Sequence, residues 1–369
     1  MSNSLPLHGG QLRQIAEQFG IPAAELLDFS PNINPEGPPA AVLSLLRSSL
    51  DNPSTLTSYP DLSETDLKRS LAHYAGVGFE NIVVGNGFVP LLDAVLRTLR
   101  IRSCRLPVPA FVEYRRALTR AQIEIAPHTL TCESDFRYDV EAMLSGTQDA
   151  ILLANPQNPS GVLAGGEALL QLTCGAAARN KYVLLDEAFI DYCPESSLAG
   201  ETDRYPNLIV FRSLTKFFGM PGLRVAYAVT NPEMSGLLDE AIAPWSVTTL
   251  ASLAAGAAVE DKPYATRTLA LNGERRSRLQ KAIDALGVRV YPSAANFLLF
   301  RLPDSVDSEA LWNRMILDHR VVLRNCANYE AVTDGHFRAA VRNDSENDRL
   351  IEALMQVLAS LGMYVADCL

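Results

Sequence analysis

The chain has 369 residues, 48% hydrophobic and 20% charged, with 42 acidic against 32 basic side chains and a formal net charge of −10. Length and composition describe a folded chain of about two domains and exclude a disordered one. The acidic balance argues against a nucleic-acid or anionic-membrane surface, and no apolar run approaches the ~18 residues of a membrane span.

In chain order, the opening arm carries His8-Gly9-Gly10 and has neither the basic start nor the apolar stretch of a secretory signal, so a cytoplasmic protein is expected. Helices are expected over 11–19 and 40–50, joined by the proline-rich loop Leu27-Asp-Phe-Ser-Pro-Asn32-Ile-Asn-Pro-Glu-Gly-Pro-Pro39. Tyr59-Pro60-Asp61 opens another helix, with Asp61 or Ser63 as its cap. A strand–helix rhythm follows. Apolar strands are predicted at 82–84, 151–154, 182–185, 207–211 and 223–229, with a helix over 90–99 after the first. Continuous apolar strands separated by helices mean an α/β fold whose mostly parallel sheet is covered on both faces. Beyond Pro263 the pattern changes. A long charged helix (266–286) leads to strands at 288–291 and 296–300, a helix at 308–318, strands near 321–324 and 337–341, and a final helix at 346–361. The expected organisation is an N-terminal arm (1–50) packing with a small α+β domain (263–369), and a large domain (51–262). Cysteines at 104, 132, 174, 193, 326 and 368 form no C-x-x-C pair and read as reduced thiols, and the five isolated histidines give no metal site.

Four loops at the ends of predicted strands carry chemistry. In Arg212-Ser-Leu-Thr-Lys216-Phe-Phe-Gly-Met-Pro-Gly-Leu-Arg224, aromatic neighbours would desolvate Lys216, lower its pKa and free a nucleophilic amine. Ser213, Thr215 and Arg224 in the same segment suit a phosphate monoester. Asp186 closes an apolar strand where open α/β sheets bind ligands, and a cation such as a pyridinium nitrogen would keep it ionised. Asn155-Pro-Gln-Asn158-Pro-Ser-Gly161 fixes the Asn158 amide in a rigid loop. Gly85-Asn-Gly87 precedes a helix whose first amides would bind phosphate. Taken singly, each has a plainer reading: a lysine in a turn, a carboxylate capping a helix, a polar turn, a tight turn.

Together and in this order, the four resemble the fold-type I, pyridoxal-phosphate-dependent aminotransferase superfamily over essentially the whole chain. The resemblance implies that Lys216 carries pyridoxal 5'-phosphate, that Asp186 pairs with its pyridine N–H and that Asn158 bonds the ring's 3-oxygen. Phe111 would stack on the ring. Ser213, Thr215, Arg224 and the amides of Gly87, Phe88 and Val89 would hold the phosphate. Tyr59 would reach that phosphate from the other subunit of a homodimer with a shared active site. The segments His8-Gly-Gly, Ser30-Pro-Asn32, Pro244-Trp-Ser-Val247, Leu323-Arg324-Asn-Cys-Ala-Asn-Tyr329 and Phe337-Arg338-Ala-Ala-Val-Arg342 are similar to the threonine-phosphate decarboxylases, close kin of the histidinol-phosphate aminotransferases. That likeness implies a small phosphorylated amino acid as substrate. Arg338 would take its carboxylate and Arg324 and His8 its phosphate, Asn32 would close the site, and Arg342 ranks behind them. Two positions depart from the pattern. Gly87-Phe88-Val89-Pro90 lacks the usual polar side chains, and Phe189 stands where the aminotransferases usually carry tyrosine, which favours the decarboxylase branch. An aminotransferase, or a decarboxylase of L-serine O-phosphate, remains open on these residues.

Overall fold

The computed structural model describes residues 5–363; the first four residues of the arm and Cys368 lie outside that range. Seven strands form the central sheet, in the spatial order Ile82–Gly85, Ala226–Val229, Leu208–Ser213, Tyr182–Asp186, Ala150–Ala154, Ser103–Val108, Glu124–Thr129. All neighbours are parallel except Ala226–Val229, which runs antiparallel to both of its partners. Side chains alternate across the sheet with period two. Ile82, Val84, Ile151, Leu153, Val183, Leu185, Leu208 and Val210 enter one apolar layer. Val83, Leu152, Leu184, Ile209 and Phe211 enter the other. Burial on both faces explains why these strands read as unbroken apolar runs.

Two strands at one end of the sheet, Ser103–Val108 and the edge strand Glu124–Thr129, were not foreseen. Arg105 and Pro107 interrupt the first and Pro127 the second, and the outermost strand is only partly buried, so neither shows an apolar run. The strand expected over 223–229 begins only at Ala226. Pro221–Leu223 forms a short 3₁₀ turn and Arg224 adopts a left-handed conformation with φ 57°. The helix expected from Pro90 starts at Phe88, with Pro90 in its first turn, where a missing N–H costs nothing. The helix after Tyr59 spans Thr65–Ala75, and the Asp61 carboxylate accepts the N–H groups of Ser63 and Thr65 just ahead of it.

The second unit is a four-stranded antiparallel sheet in the order Arg324–Asn325, His336–Ala340, Phe297–Arg301, Arg289–Val290. Helices Ser308–Leu317 and Asp344–Ser360 pack on it. Asp307 caps the first, and a capping box of Asn343 and Glu346 starts the second. Ile15, Ile21, Leu26 and Phe29 of the arm join this unit's core, and Leu27–Asp28 pairs in parallel with Val321–Val322. The expected arm of 1–50 divides differently. Helix Ala40–Leu50 packs against Thr249–Glu260, and its Val42 belongs to the large-domain layer. Helix Lys262–Ala285 spans both units, with Tyr264 in the large-domain layer and Leu279 and Ile283 in the small one.

Behind the central sheet lies a buried ionic cluster. Arg212 meets Asp191 at 2.5 Å and Glu187 at 3.7 Å, and Tyr74 donates to Asp191 at 3.0 Å. Ser197 and the Leu198 N–H complete the shell of Glu187. Arg212→Leu should leave two carboxylates buried without their cation and lower stability by about 3–5 kcal/mol in denaturant unfolding. Retention of wild-type stability would mean that water or neighbouring donors already compensate this cluster.

Candidate active site

The carboxyl ends of the parallel strands open on one cleft between the two units, the place where α/β sheets bind ligands. Its walls include His8, Asn32, Gly87, Phe88, Val89, Phe111, Asn158, Asp186, Ser213, Thr215, Lys216, Arg224 and Arg338. Thirteen of the fifteen singled-out site residues therefore meet at one place, from segments separated by up to 330 positions. Tyr59 and Arg324 do not line it. Tyr59 is 80% exposed and packs on Trp245, with ring centroids 4.6 Å apart. Arg324 borders an adjoining pocket, separated by the shared walls Leu7, Phe111, Val112 and Tyr329.

Lys216 follows the strand Leu208–Ser213 and is held from behind. Asn34 receives the pull of this loop twice: its N–H donates to the Lys216 carbonyl at 3.1 Å and its Nδ2 to the Phe217 carbonyl at 2.8 Å. Gly219, at φ 61°, lies so close to Gly37 that an added Cβ would sit 2.7 Å from its carbonyl carbon. Neither contact was foreseen; Asn34 stood in the proline-rich loop without a role. Desolvation pushes the Lys216 amine down to about 8, Arg338 and Arg224 push the same way, and Asp186 opposes them. The expected source of that desolvation needs correcting. Phe217 and Phe218 are buried at 1% and 0% in the large-domain layer against Tyr192 and Tyr264, and neither lines the cleft. The backbone turns both rings inward, so the cleft's own walls and the two guanidinium groups act on the amine.

Asp186 is buried. Its Oδ1 accepts the Ala188 N–H at 2.9 Å and its Oδ2 the Tyr114 hydroxyl at 2.5 Å. Burial pushes its pKa up to about 6 against these donors and Lys216. Asn158 Oδ1 accepts from Arg338 Nη1 at 2.7 Å, which leaves its Nδ2 as the donor available to a ligand. Gln157 braces the loop through the Pro109 carbonyl at 2.6 Å and the Ser160 N–H at 2.8 Å. At the other end of the cleft, helix Phe88–Leu99 presents its N-terminus. Gly87 has φ 92°, and an added Cβ would lie 2.9 Å from Arg224 Nη2. Ser213 Oγ and Thr215 Oγ1 are 2.9 Å apart beside it. A helix N-terminus, two hydroxyls and an arginine make a cradle for a phosphate ester. Asn32 Oδ1 is buried in the wall without a hydrogen-bond partner among the described residues, which points to a ligand donor. These features fit a phosphorylated ring bearing a protonated nitrogen and a neighbouring oxygen.

The arm seats His8 at the rim. Gly10 N–H donates to Ser30 Oγ at 2.8 Å, and an added Cβ at Gly9 would lie 2.1 Å from the Ser30 carbonyl oxygen, so the two glycines let the arm lie flat on the loop. His8 Nε2 is 3.0 Å from Glu113, yet burial lowers its pKa overall. Arg324 donates to the Leu7 carbonyl at 3.0 Å and to Asn328 at 2.8 Å. Arg338 donates to Asn158 and to the Ser30 carbonyl. Arg324 and Arg338 are 4% and 5% exposed, and among the described residues neither meets a carboxylate. Arg342, the lower-ranked candidate, is spoken for. It pairs with Glu346 at 2.9 Å and donates to the Asp28 carbonyl.

Comparisons with known proteins add a family. Residues 24–354 match Aminotransferase class I and II. A threonine-phosphate decarboxylase of Salmonella typhimurium is 34% identical over 362 residues, covering 96% of this chain and 97% of the relative. A histidinol-phosphate aminotransferase 2 of Pseudomonas aeruginosa is 31% identical, over 95% of this chain and 94% of its own length. Among solved structures, histidinol-phosphate aminotransferase from Sinorhizobium meliloti in complex with pyridoxal-5'-phosphate has the same fold, with TM-score 0.85 at 24% identity over 98% of this chain and 99% of that one.

The electrostatics of Lys216 are testable without any ligand. In the apoprotein its amine should trap a small aldehyde, after reduction and peptide mapping, with a pH midpoint near 8. Arg338→Leu removes a cation facing it and should move that midpoint upward. An unmoved midpoint would show that Arg338 does not act on the lysine.

Proposed function

The chain belongs to the aminotransferase class I and II family, and within it we propose that it removes CO₂ from L-threonine O-3-phosphate, leaving (R)-1-amino-2-propanol O-2-phosphate for cobalamin biosynthesis. It has the fold-type I architecture, and its cofactor is pyridoxal 5'-phosphate. The observation that carries the choice of reaction and substrate is the pair of buried arginines, Arg338 and Arg324, without carboxylate partners among the described residues, beside a lysine cleft. Buried charges are ordinarily paired, so two such guanidinium groups call for a ligand with two anionic ends. A carboxylate and a phosphate monoester on one small amino acid meet that requirement, and arginine's planar fork suits both.

In this reading Lys216 is the residue whose amine would hold the cofactor. Gly87, Phe88, Val89, Ser213, Thr215 and Arg224 hold its phosphate, Phe111 covers one ring face, and Asn158 Nδ2 donates to the 3-oxygen. Asp186 keeps a proton on the ring nitrogen. Bound there, pyridoxal phosphate supplies an electron sink for the pair left on Cα. Arg338 grips the substrate carboxylate. The substrate phosphate replaces the Leu7 carbonyl on Arg324 and Glu113 on His8, drawing the arm over the cleft. Anchoring both ends would fix the substrate's orientation and so select the Cα–carboxylate bond, rather than Cα–H, as the one that breaks. That bond breaks, CO₂ leaves with its oxygens, and a proton takes its place on Cα. The arm and Asn32 keep bulk water from the electron-rich carbon.

The second copy belongs to the same reading. Leu56, Tyr59, Leu62 and Trp245 are exposed by 45–80% along one side of the large domain, an apolar surface suited to a partner subunit. A homodimer packed there would carry Tyr59 toward the other subunit's phosphate cradle.

Incubated with O-phosphothreonine, the holoenzyme should release one CO₂ per amine phosphate formed and accumulate no keto acid. Keto acid without CO₂ would make it an aminotransferase. Arg324→Ala should raise KM for O-phosphothreonine by about ten- to a hundredfold, the worth of one charge-assisted contact, while affinity for unphosphorylated threonine changes little. Equal losses on both would remove Arg324 from the phosphate site.

A further inference from the structure

We propose that Tyr114 is a positioning residue for the cofactor's ring nitrogen, its hydroxyl holding Asp186 ionised and aimed into the cleft. This rests on the reading that Asp186 faces that nitrogen. The tyrosine lies on helix Val112–Arg120, whose preceding residue is Phe111, and is 2% exposed. Its hydroxyl makes one side-chain hydrogen bond among the described residues, the 2.5 Å contact to Asp186 Oδ2. Phe88 and Phe111 lock the ring, each with its centroid 5.6 Å away. The ring is therefore held by two aromatic neighbours, and among the described residues its hydroxyl is committed to Asp186.

Asp186 needs such a donor. No arginine, lysine or histidine lies within ion-pair distance of it among the described residues, so its negative charge rests on hydrogen bonds and on Lys216 farther off. The titratable groups that face it are Tyr114, Lys216 and Tyr138, and the Tyr138 hydroxyl is committed to the Ala154 carbonyl at 2.6 Å. Burial raises the Asp186 pKa while the Tyr114 bond lowers it. A phenol is the suitable donor. It adds no charge, so it steadies the carboxylate without competing with the cofactor for the ion pair. Each carboxylate oxygen has a second lone pair, and the ring N–H can take one while Tyr114 and Ala188 keep theirs. Remove the hydroxyl and Asp186 takes up a proton at higher pH. It then no longer holds one on the ring nitrogen.

The experiment uses holoenzyme loaded with cofactor enriched in ¹⁵N at the pyridine position. Tyr114→Phe keeps the ring volume and should move the nitrogen resonance toward its unprotonated position at neutral pH. The apparent pH midpoint of that resonance should fall, and the apoprotein's affinity for pyridoxal phosphate should fall by about tenfold or more. Asp186→Asn alone should deprotonate the nitrogen, and Tyr114→Phe added to it should change the resonance no further. A Tyr114→His variant, which restores a neutral donor, should recover part of the protonated signal; no recovery in the folded protein would count against the proposal. If Tyr114→Phe leaves the resonance and its pH profile unchanged, the proposal is overturned while the assignment of Asp186 stands. If Asp186→Asn leaves the nitrogen protonated, Asp186 is not its partner and the underlying reading falls as well.

Discussion

The cleft depends on one electrostatic imbalance. Lys216 faces two guanidinium groups, Arg338 and Arg224, and a single buried carboxylate, Asp186. Burial and this excess of cations over anions drive the amine toward its neutral, nucleophilic form, with its pKa at about 8 rather than 10.5. The same imbalance makes the walls receptive to anions in a chain whose net charge is −10. One arrangement thus serves two requirements, a reactive amine and a site for acidic ligands. Binding an anion at Arg338 would weaken the push on Lys216, so the proposed substrate would itself shift the lysine toward its protonated form.

How much of this was legible in the sequence follows from geometry. Parallel strands place all their carboxyl ends on one edge, so a lysine, an aspartate, an asparagine and a glycine turn that each follow an apolar run must converge, whatever their separation along the chain. Gly87, Asn158, Asp186 and Lys216 were readable for that reason. Side-chain direction was not. Phe217 and Phe218 are adjacent to Lys216 in sequence yet turn into the core, and the strand expected to carry Arg224 begins only at Ala226, leaving this arginine in a left-handed turn beside Gly87. Tyr114, 72 positions from Asp186, belongs to a helix without a strong apolar stripe, VEYRRALTR, and its hydroxyl contact has no local signature. Arg342 ranked behind Arg338 in the sequence, although both sit near the same strand. They differ because a helix start four residues on supplies Glu346 to the first and nothing to the second.

Period-two alternation has a further consequence at the strand ends. Asp186 and Ser213 border the cleft, so their neighbours Glu187 and Arg212 must face the opposite side of the sheet. There they meet as an ion pair with Asp191, 0–5% exposed. The cluster ties the two strands that deliver Asp186 and Lys216 to each other from behind. Buried pairs are poor sources of net stability, but they penalise any register slip that would separate them. A slip of one residue would also exchange Asp186 for Glu187 in the cleft, so the chemistry and the register are protected by the same contacts.

The remaining link runs between the substrate end and the ring end of the site. Arg338 Nη1 donates to Asn158 Oδ1 at 2.7 Å, and Phe189 offers no hydroxyl to the same region. In the proposed reading Asn158 is then the one side chain donating to the ring's 3-oxygen, and its amide is oriented by the arginine that grips the substrate carboxylate. A tyrosine at 189 would give the oxygen a second donor and loosen that dependence. With phenylalanine there, any movement of Arg338 toward the carboxylate is transmitted to the amide on the ring. In that reading the identity of residue 189 would set how strongly substrate binding is coupled to the amide that faces the ring. Such coupling would serve the proposed reaction, in which the carboxylate held by Arg338 is the group that departs.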